Sequence, residues 1–348
     1  MPTALPDLSE PIWTSKLVAR LERTAAAIGR LDARVSASPA AAPWHRRASW
    51  TGYTTALRAQ GAEIDEIDIF GRECAVNLPG RPAMPTHLDD PDALPTWQRQ
   101  LAHREGGYWR DERAIATDVP EDWSQRPAIL RALEITARRA RADSTITPWL
   151  AVPALLRSMT ITQAVLPCLT IGDTALRLAP RDTEAIVLRN LRSLTDRADE
   201  ALVRLQALED DRLRAAAAIH GAHRPGKLLE LLSLVQFAPV VSPRMVMRHL
   251  DVTISGAGKL LTRAAELDLL VEVSGRQAWR TYLTRDLAVA FGFAVRPVGR
   301  PPAPPRALPD FVPSLAAFDR EMAELDTMLA KLGVDRQDED GRMGPLLM

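Results

Sequence analysis

The sequence predicts a mainly α-helical protein, because apolar residues recur at helical spacing along most of its 348 residues. The longest such segment covers residues 182–220, where leucine and alanine recur every three or four positions until Gly221 and Pro225 end the pattern. Near the C-terminus, two helix patterns joined by a short turn precede two strand-like runs around a Gly-Arg turn. Together these observations predict a helical bundle body plus a C-terminal winged helix-turn-helix with a small β wing.

The C-terminal series predicts the elements of a winged helix in order. Residues 226–237 form its first helix. Ser242 suits the cap of the second helix and Thr253 the cap of the third, because a hydroxyl there accepts a hydrogen bond from the first helical turn. Residues 269–273 and 279–284 then predict strands on either side of the wing turn. In modules of this kind the third helix enters the major groove of DNA.

DNA contacts are expected from the outward side of the third helix, residues 253–267, and from the wing. The same side of the helix is expected to offer Ile254 and Ala257. Gly256 and Gly258 each lower its helix propensity by about 1 kcal/mol relative to alanine. The candidate phosphate contacts are Lys259, Arg263, Arg276 and Arg280, and the candidates for base edges or groove positioning are Ser255, Thr262 and Gln277.

The charge distribution makes any nucleic-acid surface local. The whole chain carries 44 basic and 44 acidic residues, so no overall field attracts DNA. Residues 242–285 hold a small surplus of basic over acidic residues: Arg244, Arg248, Lys259, Arg263, Arg276, Arg280 and Arg285 against Asp251, Glu266, Asp268 and Glu272. Such a surplus predicts weak, salt-sensitive binding by one module and favours a homodimer on two half-sites.

The body is predicted to contain helices over residues 15–35, 44–60, 94–109, 127–143 and 182–220. The last of these either spans the centre of a bundle or pairs with a partner chain. A proline-rich connector leads to a final amphipathic helix over residues 314–332, which docks on the body or on a second subunit. The predicted regions are 1–110 (N-terminal helical), 111–225 (central helical), 226–295 (winged helix) and 296–348 (connector and final helix).

An acidic stretch at residues 62–70 is compatible with either a strand or a short helix, since acidic and apolar residues alternate in it. Its carboxylates belong to Glu63, Asp65, Glu66 and Asp68. They form either a solvated edge beside buried isoleucines, or an acidic surface that binds a partner or covers the basic winged helix.

Two resemblances follow from these residues. The winged helix resembles the one at the C-terminus of many Fic-domain proteins, through Leu261, Leu267, the Leu269-Leu270 strand entry and the wing from Gly275 to Tyr282. More of the chain is similar to a family of uncharacterised, often plasmid-borne rhizobial proteins with a helical N-terminal part and a C-terminal helix-turn-helix. The matching blocks cover residues 19–39, 62–70 and 132–156. Neither resemblance implies an established activity.

No catalytic set is recognisable. Fic enzymes need a histidine loop that runs into a Gly-Asn-Gly-Arg anion nest, and residues 103–113 have His103 and paired glycines but not that motif. Residues 255–262 imitate a phosphate-binding loop, but Thr253 and Leu260 replace residues that such a loop requires. His220 and His223 lack a nearby carboxylate or cysteine for a metal. We expect no enzyme activity, cofactor or metal.

The sequence also predicts a cytoplasmic protein without a membrane partner. The N-terminus lacks the basic and apolar regions of a signal peptide, and no apolar run is long enough to span a bilayer. Two separated cysteines, Cys74 and Cys168, fit a reducing compartment.

The function that the sequence favours is a double-stranded DNA-binding protein, either a transcriptional regulator or a plasmid-associated factor. The alternative is a scaffold whose winged helix binds another polypeptide. A more remote alternative is a degenerate Fic-like nucleotidyl transferase that depends on His103.

Overall fold

The structure is a computed structural model that describes residues 8, 13–78, 80–81, 93–102, 122–178, 182–275, 280–295, 324 and 327. Residues 1–295 form one compact unit and residues 296–348 a second. The predicted connector and final helix lie outside the described residues, apart from Glu324 and Thr327, which are helical.

The described part of the chain is mainly α-helical with one small antiparallel sheet, as the sequence predicts. Its helices are α1 (Ser15–Ser36), α2 (Ala41–Ala59), α3 (Glu66–Glu73), α4 (Ala93–Ala102), α5 (Ala128–Ala142), α6 (Thr147–Leu150), α7 (Val152–Ser158), α8 (Thr183–Gly221), α9 (Leu228–Phe237), α10 (Pro243–Leu250), α11 (Ile254–Glu266) and α12 (Arg285–Ala290). Its strands are β1 (Val240–Val241), β2 (Leu270–Glu272) and β3 (Tyr282–Thr284).

The long helix α8 packs against α1 through the apolar stripe that the sequence predicts. Leu191, Leu194 and Leu205 are fully buried on it. The apolar pattern predicted over residues 182–220 also includes Leu213, but this side chain is 72 % exposed. The buried stripe continues instead through Ala215 and Ile219, because a period near 3.6 residues carries it past position 213. Of the two alternatives for this helix, the structure therefore shows core packing within the chain.

The ends of α8 are fixed by polar contacts. Asp182 caps its start by accepting a hydrogen bond from the Ala185 N–H at 2.9 Å. At the same end the Thr14 hydroxyl, which also caps α1, donates to Glu184 at 2.8 Å. Further along, the buried Thr24 hydroxyl donates to the Leu191 carbonyl at 3.1 Å. These contacts set the register of α1 on α8.

The acidic stretch forms a helix rather than a strand. Ile64, Ile67 and Ile69 are buried, and α3 begins after Asp65. The Asp68 carboxylate accepts from the Asp65 N–H at 2.9 Å, which holds this first turn. The ion pairs of the stretch join Asp65 to Arg58 and Arg81, Asp68 to Arg81, and Glu66 to Arg204. These arginines all lie outside the winged helix, which favours a structural role for the acids.

A buried ion pair joins the body to the C-terminal part of the compact unit. The Arg47 guanidinium of α2 donates to Asp286 of α12 at 2.7 Å, and their side chains are only 7 % and 6 % exposed. The same guanidinium donates to the carbonyls of Val235 and Gln236 at 3.0 and 3.1 Å. Three buried acceptors therefore depend on one arginine, as the burial of a charge requires.

The end of α11 is attached to α8 by a second polar cluster. Arg214 of α8 donates to the carbonyl of Asp268 at 2.6 Å and to its carboxylate at 3.1 Å, and it also pairs with Asp211. Burial, together with the nearby charge of Asp286, raises the pKa of Asp211 to about 6. The edge of Phe70 in α3 packs on Phe291, with ring centroids 5.6 Å apart. Polar contacts at Asp268 and an apolar contact at Phe291 thus attach the C-terminal elements of the compact unit to the helical body.

Candidate nucleic-acid interface

The elements from α9 to β3 have the order and topology of a winged helix. The sheet order is β1-β3-β2, both pairings are antiparallel, and Leu283 pairs with Val240 on one side and Val271 on the other. Strand β1 was not predicted, because two consecutive valines show no alternation. The two longer strands occur within the predicted ranges.

The caps and turns of the helix-turn-helix are those that the sequence predicts. The Ser242 hydroxyl accepts from the Met245 N–H at 3.4 Å, and the Thr253 hydroxyl accepts from the Gly256 N–H at 3.1 Å. Between the helices, Asp251 takes a left-handed conformation with φ of 48°. Asp268, just after α11, also takes a left-handed conformation with φ of 57°, which aspartate tolerates better than most residues other than glycine.

The recognition helix α11 has one buried and one exposed side. Ala257, Leu261 and Ala264 are fully buried at spacings of four and three residues. The expectation that Ala257 lies on the outward side is therefore wrong, since it shares the face of Leu261. Ile254 is 49 % exposed, as expected. Ser255, Lys259 and Thr262 are also exposed.

The outward side of α11 faces a groove of about 1410 Å³. The start of α10 and the residues 280–282 contribute to it on the winged-helix side. Residues 74–78 and 80, which follow α3 and which we call the loop wall, line the same groove. All five predicted contacts that the structure describes line this groove: Ser255, Lys259, Thr262, Arg263 and Arg280. Arg276 and Gln277 lie outside the described residues.

The groove is basic on its winged-helix side. Among the described residues that line it, the cations are Arg244, Arg248, Lys259, Arg263 and Arg280, and the acid is Glu266. Arg244 and Arg248 of α10 were counted in the local charge but were not predicted as contacts. Their exposure and their spacing of four residues, which places them on one side of a helix, are the signal that would have found them.

The cations differ in what else they bind. Arg263 donates to the carbonyls of His223 and Arg224 at 2.7 and 2.8 Å, so it also fixes the connection between α8 and α9. The pKa of Arg280 is raised by a hydrogen bond to Tyr282 and by the charge of Glu272. Within the part of the chain that the structure describes, Arg248 and Lys259 make no hydrogen bond or ion pair, so both charges face the groove.

The two glycines of α11 differ in their surroundings, and Gly258→Ala is expected to stabilise the chain by about 1 kcal/mol. A Cβ at Gly258 would meet no atom within 4 Å, so alanine adds helix propensity without strain. A Cβ at Gly256 would lie 3.2 Å from the Thr253 Oγ1, so Gly256→Ala should gain less and serves as the control. Urea denaturation measures both, and equal or reversed effects would contradict this account of α11.

The described residues of the other motifs considered in the sequence do not assemble a phosphate-binding loop or a metal site. Residues 255–262, which imitate a phosphate-binding loop, are helical throughout. No group of three His, Cys, Asp or Glu side chains suited to a metal ion occurs among the described residues. Cys74 and Cys168 are buried, and burial raises their thiol pKa values to about 11 and about 12. His103 lies outside the described residues.

The fold and the groove define a winged helix-turn-helix protein. Residues 228–282 match a protein-family model described as "HTH DNA binding domain". The chain therefore carries a helix-turn-helix DNA-binding domain in its C-terminal part. A search of curated proteins found no match to the chain. Within the described ranges, no helix combines the length and apolar character that crossing a membrane requires.

Proposed function

We propose that the chain is a non-enzymatic regulator of transcription, or a plasmid-associated factor, that acts by binding double-stranded DNA. The observation that supports this most is the groove, in which the exposed side of α11, the basic residues of α10 and Arg280, which precedes β3, line the same space. Phosphate neutralisation by such residues provides most of the affinity of a DNA-binding module. The modest number of cations favours two copies on one operator with two half-sites.

Each groove residue has a specific task in this proposal. Lys259 and Arg248 bind phosphates, because both charges are exposed and face the groove. Ser255 and Thr262 lie on the same side of α11 and offer hydroxyl groups to base edges. Ile254, half exposed at the start of the helix, fits an apolar contact with a thymine methyl group. Arg263 acts through the connection that it fixes as well as through its charge.

The test is the affinity of the full chain for duplex DNA, measured by fluorescence anisotropy over a series of salt concentrations. Lys259→Ala is expected to weaken binding about tenfold and to lower the salt slope by about 1, because one phosphate contact is lost. Lys16→Ala is the matched control, since Lys16 is exposed in the first turn of α1 and does not line the groove. Equal affinity of both variants, or no binding by the wild type at low salt, would refute the proposal.

One observation favours the alternative, a winged helix that binds another polypeptide. The apolar Ile254 is half exposed in the groove, and the loop wall that also lines this groove carries no charged residue. If this alternative holds, the chain retrieves a partner protein in a pull-down that survives nuclease treatment. Loss of that partner after nuclease treatment would instead support DNA as the common ligand.

A further inference from the structure

We propose that the DNA site is composite: the loop wall contacts the sugar-phosphate backbone of one DNA strand while α11 occupies the major groove. This inference rests on the proposed function and extends its footprint to the N-terminal part of the chain. The loop wall precedes α11 by more than 170 residues in the sequence, and the fold brings both to the same groove.

The loop wall is held firmly in place. After α3 the chain turns back and packs against the helix at Gly71, where an added Cβ would lie 2.9 Å from the Val76 carbonyl oxygen. Ala75, with φ of 52°, makes this turn, and the Val76 N–H donates to the Gly71 carbonyl at 2.8 Å. Within the loop wall, the side chains of Cys74 and Val76 are buried. At its far end Arg81 pairs with Asp65 and with Asp68 of α3.

The dimensions of DNA place a sugar-phosphate strand on each side of a recognition helix that enters the major groove. An α-helix with its side chains is about 10–12 Å across, and the major groove is about 12 Å wide. A helix that enters the groove is therefore flanked by both sugar-phosphate strands. In helix-turn-helix complexes the helix before the recognition helix crosses the backbone. Here that helix is α10, which lines the same groove as α11 and the loop wall.

The chemistry of the two sides suits one strand. Arg244, Arg248 and Lys259 provide positive charge on the winged-helix side. The loop wall carries no charged residue, so it does not repel phosphate. Ala75 and Asn77 are its exposed side chains within the groove, and the Asn77 amide can donate a hydrogen bond to a phosphate oxygen. The uncharged loop wall can lie beside the sugars, and the cations of α10 and α11 can lie beside the phosphates, of one DNA strand.

The test introduces charge at Asn77 in the full chain and measures affinity for duplex DNA against salt concentration. Asn77→Lys is expected to tighten binding several-fold at low salt and to steepen the salt slope by about 0.9, the value for one added phosphate contact. Asn77→Asp is expected to weaken binding several-fold. Gln163→Lys adds the same charge at an exposed position that does not line the groove, and it should leave the slope unchanged.

The outcomes separate this inference from the proposed function. If Lys259→Ala weakens binding but Asn77→Lys behaves like Gln163→Lys, DNA does not reach the loop wall and the inference is wrong. Weaker binding by Asn77→Lys would mean that the wall obstructs the duplex, which also overturns it. If the wild type binds no DNA, the proposed function fails and the inference fails with it. Thermal stability equal to that of the wild type for Asn77→Lys, Asn77→Asp, Gln163→Lys and Lys259→Ala shows that the changes act on binding.

Discussion

Arg47→Ala is expected to lower the free energy of unfolding by about 3–5 kcal/mol, the usual cost of removing one partner from a buried ion pair. Asp286 would remain almost fully buried without its cation, close to the charge of Asp211. The carbonyls of Val235 and Gln236 would lose a donor as well. Because these groups lie at the end of α9 and in α12, the winged helix should lose its fixed position on the body. Urea denaturation followed by circular dichroism measures the effect.

Two further variants make this measurement decisive. Arg30→Ala removes an exposed ion pair with Asp199, whose side chains are 60 % and 52 % accessible, and should change stability by less than about 1 kcal/mol. The double variant Arg47→Ala/Asp286→Ala also removes the carboxylate left without its cation, and it should recover part of the lost free energy of unfolding. If Arg47→Ala costs no more than Arg30→Ala, the pair does not join the body to the winged helix.

Leu261→Ala is expected to destabilise the chain by about 2–5 kcal/mol, because it empties a fully buried position on the inner side of α11. Since the recognition helix shares its core with the strands and with α10, weaker DNA binding should follow from the loss of folded protein. The thermal transition and the DNA affinity should therefore decline together.

Ile254→Ala on the same helix is the comparison. Ile254 is 49 % exposed, so its truncation should change stability by less than about 0.5 kcal/mol. If Ile254 meets a thymine methyl group, affinity for DNA should still decrease. The two variants thus separate the inner from the outer side of α11. A larger loss of stability for Ile254→Ala than for Leu261→Ala would contradict the assigned faces.

Local signals in the sequence predicted much of the winged helix. The caps at Ser242 and Thr253 depend on residues within a few positions of one another, so pattern and propensity identify them. Ala257 was assigned to the wrong side, because a small residue gives little hydrophobic signal on a helix face. The short strand β1 was missed for a similar lack of signal.

The parts that sequence could not predict depend on residues far apart in the chain. Arg47 and Asp286 are separated by 239 positions, and each alone looks like an ordinary surface charge. The loop wall has neither charge nor periodicity to associate it with α11. The winged-helix part of the candidate site was thus predicted from sequence. The loop wall joins the site only because the fold brings distant segments together.

The length of α8 keeps charges at its first turn far from charges at its last turn. A helix of 39 residues that rises about 1.5 Å per residue is about 58 Å long. Its last turn leads into the connection held by Arg263, while its first turn binds Thr14 through Glu184. At physiological ionic strength, interactions between exposed charges more than about 8 Å apart are largely screened. Charged groups beside Thr14 are therefore expected to contribute little to the electrostatic field in the groove.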